Sequence, residues 1–307
     1  MNRTLGFILF LLLSLTALAA DADAATRKTT HGLMLGETEI RINVYENAGA
    51  NVTFFAPHHN EQLGIRLAKE IVAAKGGRVV EIESFDEKGR PARHLKFQYA
   101  GKTYSIDPNR IYTDNGRMCN VAYEPNPAVK MFADNLLKLL LPPDGKSLRE
   151  NERFIVAVHN NVDVSAKDFS GQSSDLTAVA FLKAQSTNNL AHGAFQEQAD
   201  GVFLSNTETD EDNFVFLSSP TYIGFFAERG FNVVVQKAAS KLQTRQCSVD
   251  DGSLSIYSAL SNISYICLEA DGVNGGLRQR QMLEAIYALI PKETQTESSQ
   301  TNVAKGK

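Results

Sequence analysis

The feature that most constrains this chain is an alternation: short β-branched or aromatic runs followed by segments with helical spacing, repeated along most of its 307 residues. Val52-Thr53-Phe54-Phe55-Ala56 is one such run, closed by Pro57. A short apolar stretch bounded by a breaker suits a buried strand. From Glu61 to Lys75, Leu63, Leu67, Ile71 and Val72 recur on one helical face, and Gly76-Gly77 supplies the stop. Val79 to Ile82 reads as a second strand, Phe97 to Ile106 as a hairpin around Gly101, and Pro127 to Leu140 as an amphipathic helix ended by Pro142-Pro143. Buried strands follow at Phe154 to Val158, Phe214 to Leu217, Asn232 to Val235 and Ser264 to Leu268, with helices at Thr221 to Arg229 and Leu277 to Leu289. The polar stretch 165–213 reads as long loops around a short helix. Strands separated by helices imply crossover connections, so the pattern predicts an α/β fold: a single domain with a mixed, mainly parallel central sheet flanked by helices.

The two ends fall outside that pattern. Arg3, the apolar run Leu5 to Leu15, and the small-residue strings Ala17-Leu18-Ala19 and Ala22-Asp23-Ala24 make residues 1–24 read as a secretory signal. The run is shorter than the ~20 residues that a membrane span needs. The expected product is a catalytic domain over 25–291, exported to the periplasm or secreted, with no membrane span after signal removal. Residues 292–307, rich in Ser, Thr, Gln and Lys, read as a disordered polar tail. Composition excludes whole-chain disorder and a disulfide-stapled miniprotein, since 43% of residues are hydrophobic and only three are Cys. A net charge of −4 with no basic stripe argues against nucleic acid as a partner. The odd cysteine count leaves at least one thiol free within a monomer. Cys267, inside a strand, reads as a buried thiol, and a bridge between Cys119 and Cys247 is a testable pairing.

Four separated clusters carry chemistry. His58-His59-Asn60-Glu61 joins the end of the first strand to the start of the next helix, where open α/β sheets place their ligands. The H-x-x-E spacing lets an imidazole and a carboxylate reach one metal ion, though a helix-capping polar patch has the same look. His159 follows the strand Phe154 to Val158 and can complete a three-ligand set that suits zinc, or stand as a paired structural histidine. Asn109 and Arg110, in Asp107-Pro108-Asn109-Arg110, can grip a carboxylate, the Arg through a bidentate fork, or can form a turn with a surface Arg. Glu269 closes the apolar strand Tyr265 to Leu268. A carboxylate there is costly to bury unless it is paired or functional, and it can act as a general base or simply emerge at the strand end.

Taken in order, H-x-x-E, then N-R, then a strand-end His, then a late strand-end Glu, the chain resembles the zinc metallocarboxypeptidase superfamily over roughly Val52 to Gly272. The resemblance implies that His58, Glu61 and His159 hold one Zn2+ per chain and that Asn109 and Arg110 hold the substrate's free carboxylate. It also implies that Glu269 takes the proton of the attacking water. Gly252-Ser253-Leu254 lies where the family's specificity loop sits, which would turn Leu254 toward the substrate side chain. Tyr257 is the available substitute for a loop tyrosine of the digestive members, since Cys247 falls near that tyrosine's place. Arg93 lies near the position of the arginine that polarises the scissile carbonyl. The strings His58-His59-Asn60-Glu61, Asp107-Pro108-Asn109-Arg110-Ile111-Tyr112 and His159-Asn160 are also similar to H-G-N-E, D-x-N-R-(I/M)-F and H-N of the aspartoacylase and succinylglutamate desuccinylase group. The implied partner is therefore a peptide or small amide with a free carboxylate. For an exported protein a cell-wall (peptidoglycan) peptide comes first, with an N-acyl amino acid as the alternative substrate and a non-catalytic peptide- or glycan-binding module as the alternative class.

Overall fold

Four parallel strands carry the middle of the molecule, and their carboxyl ends define where chemistry can happen. The computed structural model describes residues 26–141, 154–161, 199–205, 213–243 and 245–289. The signal 1–24, the tail 292–307, Pro142-Pro143 and most of 165–213 lie outside the described residues. In chain order the elements are β1 (Arg27–Leu35), β2 (Thr38–Asn47), β3 (Thr53–Ala56), α1 (Gln62–Lys75), β4 (Gly77–Ile82), β5 (Leu95–Tyr99) and β6 (Lys102–Ile106). Next come α2 (Asp114–Asn120), α3 (Asn126–Leu140), β7 (Phe154–Asn161), β8 (Ala199–Phe203) and β9 (Phe214–Leu217). The chain continues with α4 (Ile223–Ala227), β10 (Asn232–Gln236), α5 (Ala239–Leu242), α6 (Leu254–Leu260), β11 (Ser264–Asp271) and α7 (Gly276–Leu289).

The described strands form a nine-stranded sheet in the order β1-β2-β4-β3-β7-β11-β9-β10-β8, with β5-β6 as a separate hairpin. The central run β4-β3-β7-β11 is parallel throughout. Antiparallel pairs lie outside it, at β1-β2, β2-β4, β11-β9 and β10-β8, with β9-β10 again parallel. The α/β domain with a mixed sheet expected from the sequence is thus present, and its parallel character belongs to the centre. Two additions stand out. The hairpin β1-β2 precedes the first expected strand, and β8 occupies the end of the stretch expected to be loops.

Because successive strand side chains point to opposite faces, the central strands feed two cores. Phe54, Val156, Val158, Ile266 and Leu268 join one cluster with Ile65 and Ile71 of α1 and Met282 and Ile286 of α7. Phe55, Ala157 and Cys267 join the other with Val129, Phe132 and Leu136 of α3, Phe97 of β5 and Ile106 of β6. The apolar spacing of α3 has the 3-and-4 periodicity that puts its buried residues on one stripe. At the end of α1, Gly76 has φ +82 and donates its N–H to Val72 O at 2.8 Å, a backbone that glycine adopts without strain. No described helix is long and apolar enough to cross a membrane.

Candidate metal centre

His159 and Glu269 belong to strands rather than to the loops beyond them. The parallel β7-β11 ladder runs past Val158 and Leu268 to Asn161 and Asp271, and it sets Glu269 directly abreast of His159. Continued pairing is what extends both strands beyond the ends expected from their apolar runs. By the two-residue period, His159 follows Ala157 and Glu269 follows Cys267 on the face of the second core. From the neighbouring strand β3 the chain leaves through Pro57 to His58 and turns back, Glu61 N donating to His58 O at 3.2 Å, and α1 begins at Gln62. This short return places Glu61 against both imidazoles.

His58 Nδ1 lies 2.7 Å from Glu61 Oε1, and His159 Nδ1 lies 3.0 Å from Glu61 Oε2. All three side chains are buried, His58 completely, and their donor atoms lie within 4.8 Å of one another. Burial alone would raise the Glu61 carboxyl, yet the imidazoles of His58 and His159 outweigh it and hold Glu61 far below the ordinary carboxylate range. A buried carboxylate compensated by two imidazole nitrogens is a donor set of the kind that zinc takes with an open position left over. The residues fit the ion that the sequence motif implies.

A surrounding layer orients these donors. His58 Nε2 is 2.8 Å from Asp107 Oδ1, so a cation taking Nδ1 leaves Nε2–H free to donate to that carboxylate. Arg93 bridges the same two acids, Nη1 to Glu61 Oε1 at 3.2 Å and Nε to Asp107 Oδ2 at 3.1 Å. Burial opposes the ionised form of Asp107, but His58 and then Arg93 keep its carboxyl well below the usual value. Beneath the site, Asn160 donates its backbone N–H to Glu61 Oε2 at 3.2 Å, and its side chain accepts from Gly64 N and donates to Gln279 Oε1, each at 2.8 Å. Gln279 Nε2 in turn donates to His159 O at 2.9 Å. One buried amide pair thereby ties α1, β7 and α7 together directly under the donors. His59 turns away from them, its Nδ1 2.6 Å from Ser84 O and its Nε2 3.3 Å from Glu81 Oε1.

Glu269 is 6% exposed. Burial pushes its carboxyl up, the nearby Glu61 adds to the rise, and His159 opposes it. A raised pKa makes the ionised carboxylate a stronger base than an ordinary glutamate, which suits proton abstraction from water. Cys267 Sγ–H donates to Glu269 Oε1 at 3.2 Å.

The remaining sequence-predicted residues lie on a strip made of the loop before α2 and the turn that opens α6. Arg110 Nη1 donates to Asn109 O at 2.7 Å, and Arg110 Nε pairs with Asp251 Oδ2 at 3.3 Å. Burial would lower the Arg110 guanidinium, but Asp251 and Asp107 more than offset that and raise it. Asn109 Oδ1 accepts from Leu254 N at 3.0 Å. Leu254 therefore meets the strip through its backbone, while its side chain is buried in the second core. Tyr257, on α6, packs its ring 6.3 Å from that of Tyr112. The loops are fastened by Tyr112 N to Gly252 O at 2.9 Å and Thr113 Oγ1 to Asp250 Oδ1 at 2.6 Å. Where α2 crosses the turn before α6, a Cβ on Gly116 would meet Gly252 Cα at 1.9 Å, so neither segment tolerates a side chain there. A disulfide joins Cys119 to Cys247 with Cα atoms 5.8 Å apart, and Cys267 is the free, buried thiol.

Asp107 and Asp251 are contributors for which the sequence reading assigns no role. Asp107 heads the Asp-Pro-Asn-Arg string, and its acidic type three residues before Arg110 was the available signal. Asp251 stands beside Gly252 with no motif to mark it.

No family model matches the sequence, and no curated protein does. Among solved structures the chain is similar to a candidate metallopeptidase from Shewanella denitrificans OS217, at 14% identity and a TM-score of 0.37, over 86% of this chain and 82% of that one. It is similar to an aspartoacylase family protein from Mesorhizobium loti at 12% identity and a TM-score of 0.34, over 86% of this chain and 69% of that one. A succinylglutamate desuccinylase from Silicibacter sp. TM1040 has 13% identity and a TM-score of 0.34, over 86% of this chain and 65% of that one.

Proposed function

We propose that this chain is an exported zinc-dependent hydrolase of the carboxypeptidase type, cleaving an amide bond next to a free carboxylate, with cell-wall peptides as the first substrate class to test. The observation that supports this most is the meeting of His58 and Glu61, from the return between β3 and α1, with His159 of β7 around one point, and Glu269 abreast of His159. A bound zinc would supply Lewis acidity toward the scissile carbonyl and toward a water.

The chain's own residues supply the rest. Arg110 and Asn109 receive the substrate's carboxylate, which fixes the amide relative to the strand ends. Glu269 takes a proton from the attacking water at its carboxylate and hands it to the departing nitrogen, so the general base becomes the general acid. Arg93 is the cation available to the oxygen that gains charge in the transition state. Its side chain is 40% exposed, so it can answer a substrate while Asp107 keeps it at the site.

Metal analysis of the purified protein should return about one zinc per chain, removable by chelator. Ordinary peptides, cell-wall peptides and N-acyl amino acids should then be assayed with and without that chelator. Chelator-sensitive release of a carboxyl-terminal residue supports the proposal, and deacylation of N-acyl amino acids alone moves the chain to the alternative. A protein with no metal and no turnover returns it to the binding modules.

A further inference from the structure

Cys267 has no part in the reaction above, yet it is the one thiol left in the chain: the sequence holds three cysteines and the other two are joined. It is 3% exposed, at the floor of the site, two residues before Glu269 on the same face of β11. His159, Cys267 and Glu269 each offer a ligand atom within 4.8 Å of the others, and all three are buried. The β7-β11 register builds this arrangement, so it is held by a paired ladder rather than by a loop. Its chemistry differs from that of the first set. Two imidazoles and a carboxylate contain no sulfur, whereas a thiolate beside an imidazole and a carboxylate favours soft cations.

We propose that His159, Cys267 and Glu269 form a second cation seat, selective for soft, thiophilic metal ions. The two sets share His159, and a neutral imidazole has one nitrogen with a free lone pair, so they are alternative seats for a single ion. Coordination replaces the Cys267 proton now donated to Glu269, and that proton leaves to solvent. It also occupies the Glu269 carboxylate, so a soft cation in this seat silences the enzyme. That consequence rests on the function proposed above; the seat itself does not.

Titrating the metal-free, non-reduced full chain with Cd2+ tests it. A thiolate-to-cadmium charge-transfer band in the ultraviolet should grow to a plateau near one cadmium per chain, with release of about one proton. The band can only come from Cys267, and Cys267→Ser should abolish it. His58→Ala should keep it while weakening zinc by more than the ~100-fold that loss of an outer-shell partner can cost. Absence of the band in the unmodified protein overturns the seat, which needs no variant to fold. So does a band that survives Cys267→Ser, or one lost in a folded His58→Ala protein. If zinc binds His58→Ala as well as it binds the parent while the band persists, the first donor set is wrong and the second stands.

Discussion

The donors at the strand ends and the strip that faces them are held by different means. His159 and Glu269 are fixed by a ladder in which each residue has an assigned partner, and His58 and Glu61 by a short return into a helix. Asn109, Arg110 and their partners sit where the loop leading into α2 meets the turn leading into α6, joined by a few long-range hydrogen bonds, a glycine crossing and one disulfide. A strand ladder offers discrete positions, because a one-residue slip sends each side chain to the other face. A loop strip offers graded ones. The strand ends are thus built for chemistry that needs fixed distances, and the strip for accommodating a substrate end.

That contrast can be broken by separating turnover from binding. Glu269→Gln should lower kcat by about 10²–10⁴-fold with zinc content unchanged in metal analysis; a variant that turns over at close to the parent rate removes Glu269 from the role of base. Arg110→Ala should act on the other region. Losing a charge-assisted hydrogen bond of about 1.5–3 kcal/mol should raise KM by roughly 10–150-fold with kcat far less changed, and a collapse of kcat alone would place Arg110 in the chemistry. Asp107→Asn lies across the boundary. It should weaken zinc by about 10–100-fold in a competition titration with a chelator, because Asp107 orients His58.

A smaller effect is expected from Cys119→Ser/Cys247→Ser. It should lower stability by about 2–4 kcal/mol in denaturant unfolding and raise KM only modestly, with zinc affinity unchanged. Loss of zinc in that double variant would show the two regions to be one unit.

The finest distinction is one of pH. In the metal-free chain Glu61 and Asp107 titrate below their ordinary 4.5 and 3.8. The stability they contribute is present above those ordinary values and is lost as pH falls through the depressed ones. His58 is raised above its ordinary 6.5 by Glu61 and Asp107 despite burial, so its contribution is full below 6.5 and is lost as pH rises through the raised value. Thermal melts of the metal-free chain should peak between about 4.5 and 6.5, and zinc should shift the optimum upward because it binds neutral imidazole. An optimum unmoved by zinc would detach His58 from the metal.

The same contrast governs what was legible in the sequence. Continuous apolar runs gave away β3, β7, β9, β10 and β11, and the 3-and-4 stripe gave away α1 and α3. β1 and β2 do not show in that pattern because Ile40, Ile42 and Val44 alternate with Glu39, Arg41 and Asn43, leaving no continuous run. His58 and Glu61 are three residues apart, so their meeting is local and readable. His58 meets Asp107 across 49 residues, and Asn109 meets Leu254 across 145, and no spacing announces such contacts. The Cys267–Glu269 contact lies between: a two-residue interval on a strand does place both side chains on one face.

The bridge between Cys119 and Cys247 has a topological result. It closes a covalent ring that contains β7, and with it His159, while His58, Glu61 and Glu269 hang from the two arms outside. A single peptide-bond cut anywhere in that ring opens it without dividing the molecule. The two pieces travel together until a reductant is added, with every donor of the centre still on one covalent object.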